Sequence, residues 1–296
     1  MVYSVLSFKS LPKFTYLQPK NIKEALELLN EYQNNAVILA GGSDLLSDLR
    51  NRLKIPKVVI DLKKIKDFNT AYYDPNLGVV INATATFQNI ENIPELKTNY
   101  KAFYDVCQHL CDSIVRERAG PVGNICTSSP AGDSAPALMI YDAKIEISSL
   151  NETREIKLQD FFIGVKRNIL KPNEMVTKLI IPPVEKNEKS SYIKIMRNSE
   201  DLAIVGCALR LAKQESGKIV LRAGFSSVAP TPVYINLDSL INDKTKSPKE
   251  RIQKIVSTCL EKVSPIDDVR GGAEYRKHLV KVLLIRGIRD LVGGIK

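Results

Sequence analysis

The sequence predicts an α+β protein in three units, and three observations lead to this fold class. The chain has 296 residues, 44% of them apolar, a length at which a single hydrophobic core usually divides. Helical periodicity and short β-branched runs both occur along it. Pro182-Pro183 and the charged tract 185–190 mark the clearest boundary, because proline ends regular elements and we expect this tract to bury nothing. The predicted units are 1–62, 63–181 and 184–296.

The first unit is predicted to alternate helices with strands. Asn21 and Glu24 are placed as the cap and capping-box partner of an amphipathic helix. A β-branched strand ends abruptly at Gly41-Gly42, and Ser43 caps the helix that follows. This order of elements favours a small parallel sheet. The predicted elements are a helix over 21–29, a strand over 36–40, a helix from residue 43 and a strand over 57–62.

The other two units are predicted to mix strands with helices. We expect the middle unit to contain one clear helix, and the third unit to be a three-stranded antiparallel sheet followed by two helices. The predicted strands of the middle unit are 77–87, 144–147 and 175–181, and its helix is 100–110. The predicted strands of the third unit are 191–196, 203–211 and 218–223, and its helices are 248–262 and 273–291.

Composition narrows the class of function. Lys and Arg number 43 against 33 Asp and Glu, a net charge of +10, which suits a phosphate-bearing ligand or an acidic partner. We do not expect the chain to bind nucleic acid, because basic and acidic residues alternate and neither an RNP-like nor a zinc-finger pattern occurs. Five cysteines, an odd number, indicate reduced thiols. We expect no membrane span, since no apolar run reaches 18 residues, and we expect a cytoplasmic protein, since residues 1–9 do not form a leader.

Two glycine-rich segments could bind a ligand. The first, Gly41-Gly42-Ser43-Asp44, lies between a strand and a helix, where backbone amides and the helix dipole favour phosphate, although a tight turn would also explain it. The second, residues 116–133, holds three glycines, three neighbouring hydroxyl residues and the carboxylate of Asp133, which suits a sugar hydroxyl. We predict that this second segment is a long loop, and a loop of that length more often binds a ligand than merely covers a surface.

Three separated runs together resemble a known family. They are residues 39–46, 122–136 and 268–278, and the shorter runs 14–19 and 192–197 agree with them in order and spacing. The chain resembles the FAD-binding medium subunits of molybdenum hydroxylases, a group that includes carbon monoxide dehydrogenase, xanthine dehydrogenase and aldehyde oxidoreductases. The resemblance implies a FAD-binding fold of the PCMH (vanillyl-alcohol oxidase) type in two subdomains, followed by a C-terminal α+β domain.

The resemblance also implies a cofactor site and no catalytic residue or metal ligand in this chain. One departure from the family pattern is that relatives have a hydroxyl residue and a Gly-Gly pair before the asparagine, whereas this chain has Gly120 followed by Pro121-Val122-Gly123. The residues expected to bind FAD are Leu39, Ala40, Gly41, Gly42, Ser43, Asp44, Leu45, Gly120, Gly123, Asn124, Thr127, Asp133, Met175, Val176 and Lys194.

The function that the resemblance implies is electron transfer within a larger oxidoreductase. Electrons would come from a small subunit with two [2Fe–2S] clusters and a large molybdopterin subunit, in a heterotrimer or a dimer of heterotrimers. The favoured substrate is an aldehyde, as in glyceraldehyde-oxidising enzymes, with carbon monoxide and purines or other N-heterocycles as alternatives. Two further readings stay open: a flavin-free assembly or binding protein of the same fold, and a flavin oxidase acting alone.

Overall fold

The computed structural model describes residues 10–185 and 188–293. Residues 1–9, on which the expectation about a leader rests, lie outside the described residues, as do 186–187 within the charged tract. Three sheets, each with its own hydrophobic cluster, organise the chain. We call each sheet, together with the helices packed against it, a unit: the N-terminal, the middle and the C-terminal unit, in chain order.

The N-terminal unit is a three-stranded parallel sheet with two helices. The predicted parallel pairing is confirmed, since Ala36–Leu39 pairs in parallel with Val58–Asp61. An additional strand, too short to stand out in the sequence, pairs with the other edge of Val58–Asp61. The elements are β1 (Thr15–Leu17), α1 (Ile22–Tyr32), β2 (Ala36–Leu39), α2 (Ser43–Arg50) and β3 (Val58–Asp61).

The middle unit is an antiparallel five-stranded sheet, in the order β4-β5-β10-β6-β7, covered by short helices. Two expectations are wrong here: the predicted strand 77–87 ends at Asn82, and the unit has six helices among its described residues where we predicted one. The elements are β4 (Ala71–Asp74), β5 (Gly78–Asn82), α3 (Phe87–Glu91), α4 (Pro94–Asn99), α5 (Lys101–His109), α6 (Ser113–Arg116), α7 (Pro121–Thr127), α8 (Ser134–Met139), β6 (Lys144–Ser148), β7 (Thr153–Lys157), β8 (Phe162–Gly164), β9 (Arg167–Asn168) and β10 (Met175–Ile181).

The second glycine-rich segment is therefore not the long loop that we expected. Pro121 occupies the first helical position of α7, where its fixed φ favours a helix and its missing N–H costs nothing. Val122 and Ile125, on the inner face of this helix, are buried in the middle core. Burial of these two side chains stabilises a turn of helix whose glycine, asparagine and threonine favour it weakly on their own.

The C-terminal unit is an antiparallel sheet in the order β11-β12-β13-β14, covered by helices. It has four strands rather than the predicted three, because residues 233–236 follow a proline-rich turn and add an edge strand. The elements are β11 (Lys189–Ile195), β12 (Val205–Lys213), β13 (Ile219–Ser226), β14 (Val233–Asn236), α9 (Asp238–Ile241), α10 (Pro248–Glu261) and α11 (Ala273–Gly293).

The C-terminal unit packs closely against the middle unit. Tyr192 and Ala208, from β11 and β12, belong to the middle hydrophobic cluster. The charged tract also buries side chains, contrary to expectation: Glu188 is 1% exposed and accepts a hydrogen bond of 2.8 Å from Arg210. Ser190 is buried beside Tyr141. The tract therefore forms part of the contact between units.

Candidate functional site

A cleft of about 1080 Å³ lies between the N-terminal and middle units. The carboxyl end of β2, the start of α2, the segment around α7 and the start of β10 line it, and the tip of the β11–β12 hairpin reaches it. Of the fifteen predicted cofactor residues, all described by the structure, fourteen line the cleft, while Leu39 lies in β2 just outside it. The fourteen are Ala40, Gly41, Gly42, Ser43, Asp44, Leu45, Gly120, Gly123, Asn124, Thr127, Asp133, Met175, Val176 and Lys194.

The first glycine-rich turn leads from β2 into α2. Gly42 has a left-handed φ of 82°, which glycine adopts without strain. A Cβ on Gly41 would overlap the carbonyl oxygen of Arg118, so the absence of a side chain lets the two glycine-rich segments touch. The predicted cap by Ser43 is wrong: Gly42 is the N-cap, Ser43 is the first helical residue, and no described side chain caps α2. Residues 43–45 line the cleft, and as the first residues of α2 their amides have no intrahelical acceptors, an arrangement that attracts anions.

The second glycine-rich turn begins α7 on the other side of the cleft. A Cβ on Gly120 would overlap the carbonyl oxygen of Ala85, so this glycine also permits a close contact within the protein. Gly123 differs, because beyond its own helix no described atom lies within 4 Å of a Cβ placed on it. Since Gly123 lines the cleft, the space beside it is open to a ligand.

The start of α2 and the end of α7 are linked by one polar contact. The Thr127 hydroxyl lies 3.2 Å from Asp44 Oδ2 and 3.1 Å from the carbonyl oxygen of Gly123, so it donates to one of them at a time. Asp44 therefore has a protein partner, but its carboxylate keeps its negative charge beside the start of α2. The contact joins two walls of one cleft, since both residues line it.

The floor of the cleft is apolar and rigidly supported. Met175 packs into the N-terminal core, and its neighbour Val176 packs into the middle core, as alternate residues of a strand do. Arg154 donates to the buried Glu174 just before this strand, with one N–O distance of 3.0 Å. This hydrogen bond is the main reason why the pKa of Glu174 is lowered. The ion pair fixes the turn from which β10 starts.

The end of the cleft next to the C-terminal unit is polar. Asp133 accepts hydrogen bonds from the Tyr192 hydroxyl at 2.6 Å and from Lys194 Nζ at 2.8 Å. The side chains of Lys194 and Asp133 are only 5% and 6% exposed. Burial, followed by the charge of Asp133, raises the pKa of Tyr192 well above its usual value. The phenol is therefore a permanent hydrogen-bond donor to this carboxylate.

Sequence reasoning missed a group of cations at the cleft. Lys54 and Lys166 lie 3.6 and 3.9 Å from the two carboxylate oxygens of Asp48, and Arg167 and Lys171 also line the cleft. The Lys166-Arg167 pair was the only signal for them in the sequence. The β8–β9 hairpin brings these cationic side chains together, and no periodicity in the sequence predicted that hairpin.

The cleft fits an extended dinucleotide such as FAD. Its volume exceeds the 300–1,000 Å³ or so typical of sites for drug-sized ligands. Two uncapped helix starts supply amides for a pyrophosphate, and the open space at Gly123 permits close approach. The floor offers apolar contact and the polar end offers partners for sugar or ring polar atoms. Within the described ranges, no group of three His, Cys, Asp or Glu side chains is arranged to hold a metal ion.

Comparison with protein families gives two matches that together span most of the chain. Residues 12–184 match the FAD binding domain in molybdopterin dehydrogenase. Residues 190–291 match the CO dehydrogenase flavoprotein C-terminal domain. The gap between the two matches coincides with the charged tract before β11.

Individual proteins agree with these matches. The chain is 32% identical over 209 residues to the nicotinate dehydrogenase FAD-subunit of Eubacterium barkeri, covering 69% of this chain and 70% of that one. It is 28% identical over 282 residues to the glyceraldehyde dehydrogenase medium chain of Sulfolobus acidocaldarius, covering 95% and 99%. A solved structure of reconstituted CO dehydrogenase from Oligotropha carboxidovorans superposes with a TM-score of 0.87 at 25% identity, covering 95% and 98%.

Proposed function

Because this chain belongs to the family of FAD-binding medium subunits of molybdenum hydroxylases, we propose that it binds FAD in the cleft and serves as the electron-transfer subunit of an oxidoreductase. The observation that carries this proposal is the convergence of two uncapped helix starts on one large cleft. Bound FAD would supply the redox chemistry, accepting electrons singly from an iron–sulfur donor and passing on two.

The contributions of the chain are binding, orientation and exclusion of water. The amides of residues 43–45 and 122–123 would hold the pyrophosphate. Met175 and Val176 would cover the cofactor from below, and Asp133 with Lys194 would fix its polar atoms at the far end. Lys54 and Lys166 add positive charge for the phosphates, and Asp48 holds these two lysine side chains in place. None of these residues needs to act as a nucleophile or a metal ligand.

Electrons must reach this chain from other polypeptides. No metal-holding group exists among the described residues, and the relatives are medium chains or FAD-subunits. We infer partners of two kinds, a small [2Fe–2S] subunit and a large molybdopterin subunit, in a heterotrimer or a dimer of heterotrimers. Five free cysteines suit a cytoplasmic location, and no described helix has the length and apolar character needed to cross a bilayer.

The substrate would bind to the large subunit, so this chain supports only an order in which candidate substrate classes should be tested. An aldehyde comes first, consistent with the glyceraldehyde dehydrogenase relative. An N-heterocycle comes second, and the 32% identity to the nicotinate dehydrogenase subunit favours it. Carbon monoxide comes third, supported by the match of the C-terminal unit.

Titration of the purified chain with FAD tests the binding proposal. We expect the fluorescence of FAD to be quenched when FAD binds to the chain. We also expect the melting temperature of the chain to rise as the FAD concentration exceeds the dissociation constant, since a ligand of the native state stabilises that state. FMN and NAD serve as controls, because neither presents both a flavin and an ADP moiety. A chain that stays colourless and shows no shift in melting temperature would contradict FAD binding and favour the flavin-free assembly protein.

Native purification tests the subunit proposal. The chain should co-purify with two other polypeptides, and the same sample should contain FAD, iron and molybdenum. If the chain instead arrives alone with FAD and oxidises an aldehyde by itself, the isolated flavin oxidase becomes the better interpretation.

A further inference from the structure

Two donors to the cleft residue Asp133 come from one strand of another unit. Tyr192 and Lys194 are two residues apart on the edge strand β11, so their side chains leave it on the same face. Tyr192 donates to Asp133 Oδ1 and Lys194 to Oδ2. Within the described part of the chain, these are the two hydrogen bonds that hold this carboxylate. The orientation of Asp133 is therefore set by the C-terminal unit.

Burial makes these donors necessary. The Asp133 and Lys194 side chains are 6% and 5% exposed, and a carboxylate so far from water is stable as an anion only with a cation and hydrogen-bond donors beside it. The sheet also makes room for the phenol. Gly206 pairs with Lys194 on the neighbouring strand, and a Cβ on Gly206 would overlap the Tyr192 hydroxyl.

Asp133 and Lys194 both line the cleft, whereas Tyr192 lies behind them. If the phenol were absent, the Asp133 carboxylate would keep its charge partner but lose the bond that fixes its rotation. Its free lone pairs would then no longer face the cleft in one direction. A ligand would have to order the carboxylate again, at a cost in affinity.

We propose that Tyr192 is a positioning residue of the FAD site, through which the C-terminal unit orients Asp133 toward the cofactor. This proposal rests on the proposed function. The cofactor site is accordingly incomplete in the first two units alone, even though the glycine-rich turns belong to them.

Tyr192→Phe tests the proposal because it removes the hydroxyl and keeps the ring. Tyr234→Phe is a matched control: the Tyr234 hydroxyl also donates to an aspartate of the middle unit, Asp142, at 3.2 Å, but neither residue lines the cleft. Both substitutions remove one tyrosine–aspartate bond between the same two units. The full chain is used, with FAD as the titrant, at a temperature well below the apo melting transition.

We expect Tyr192→Phe to raise the FAD dissociation constant about five- to tenfold, the effect of one hydrogen bond, and to change the visible circular dichroism of bound flavin. Tyr234→Phe should leave both unchanged. Gly206→Ala keeps the phenol, but its Cβ would overlap the hydroxyls of both Tyr192 and Ser226, and displacement of the phenol should weaken FAD binding in the same direction. Equal dissociation constants for wild type and Tyr192→Phe would overturn the proposal. A wild-type chain that does not bind FAD would instead refute the proposed function.

Discussion

The glycines at the cleft have different physical roles, which a sequence pattern cannot separate. Gly41 and Gly120 allow backbone segments of the protein to touch, and Gly42 supplies a left-handed turn. Only Gly123 leaves space that faces the cleft. Substitution at the first three therefore tests the fold, whereas substitution at Gly123 tests the ligand.

We predict that Gly123→Ala weakens FAD binding without destabilising the protein. Alanine within a helix is favoured over glycine by about 0.5–1 kcal/mol, so the free energy of unfolding of the apo chain should stay the same or rise. The new methyl group would occupy the space where the pyrophosphate approaches α7, so the dissociation constant should rise at least about tenfold, or ~1.4 kcal/mol. Chemical denaturation and FAD titration of the same preparation measure the two effects.

Gly120→Ala is the control for that substitution. Its Cβ would overlap the backbone oxygen of Ala85, which cannot move aside as a side chain can. We expect a loss of about 1–3 kcal/mol in stability, as for other overpacked sites. If Gly123→Ala binds FAD as tightly as wild type, the cofactor does not pass beside α7.

Lys194→Met isolates the buried charge of Asp133. Without its cation, the carboxylate is left buried with one phenol donor, and an unpaired buried charge destabilises the folded state. Urea unfolding at neutral pH should show a loss of about 3–5 kcal/mol. The double variant Lys194→Met/Asp133→Asn should recover most of this loss, and a double variant as unstable as Lys194→Met alone would contradict this explanation.

At the scale of elements, the sequence predicted what local patterns determine. The strand Met175–Ile181 was predicted with the observed bounds, and Asn21 caps α1 as predicted, although the Glu24 carboxylate accepts from the Lys20 amide and the Asn21 side chain rather than completing a capping box. The predicted strand 77–87 ran too far because Thr86, a β-branched residue, in fact caps α3. The cations at the cleft could not be predicted, since Lys54 and Lys166 meet only through the tertiary fold around Asp48.

The β8–β9 hairpin is held to the end of α7 by the Asn168 side chain and by a backbone hydrogen bond of 3.0 Å from Lys166 N–H to the carbonyl oxygen of Ser128, and the side-chain part can be tested by substitution. Asn168 Nδ2 lies 3.0 Å from both the carbonyl oxygen of Cys126 and the hydroxyl of Ser128. Asn168→Ala should cost about 1–3 kcal/mol of stability and weaken FAD binding, because the hairpin carries Lys166 and Arg167 to the cleft. Thermal denaturation and FAD titration measure these changes.

Asn82→Ala provides the comparison for the hairpin. Asn82 Nδ2 also makes two hydrogen bonds, to the carbonyl oxygen of Asp67 and the hydroxyl of Thr70, but Asn82 does not line the cleft. It should lower stability and leave the FAD dissociation constant unchanged. A similar change in FAD affinity for both variants would mean that the hairpin does not contribute cations to the site.

Across the whole molecule, the contact between the middle and C-terminal units contains a second buried charge, Glu188. Its partner Arg210 also donates to the carbonyl oxygen of Ile140 in the middle unit at 3.2 Å. Burial is the main reason why the pKa of Glu188 is raised above its ordinary value of 4.5, and Arg210 opposes that shift only in part. Formation of this contact therefore favours the protonated carboxyl.

Glu188→Gln should reveal the effect of the Glu188 charge on the contact between the units through the pH dependence of the free energy of unfolding. Because the folded pKa is raised, the wild type has its full stability from this group below pH 4.5 and loses part of it as pH rises through the raised value. Glutamine does not ionise, so the wild type should lose stability relative to the variant over that window. Urea unfolding at a series of pH values from acid to neutral measures the difference.

Glu250→Gln gives the opposite sign and so controls for general acid effects. Glu250 is exposed, and hydrogen bonds from the Ser247 hydroxyl and amide in the capping box of α10 lower its pKa. Its contribution to stability is therefore present above its ordinary pKa and is lost as pH falls through the lowered value. The wild type should gain stability over Glu250→Gln as pH rises, whereas it should lose stability relative to Glu188→Gln. If both differences have the same sign, the charge of Glu188 is not what opposes docking of the two units.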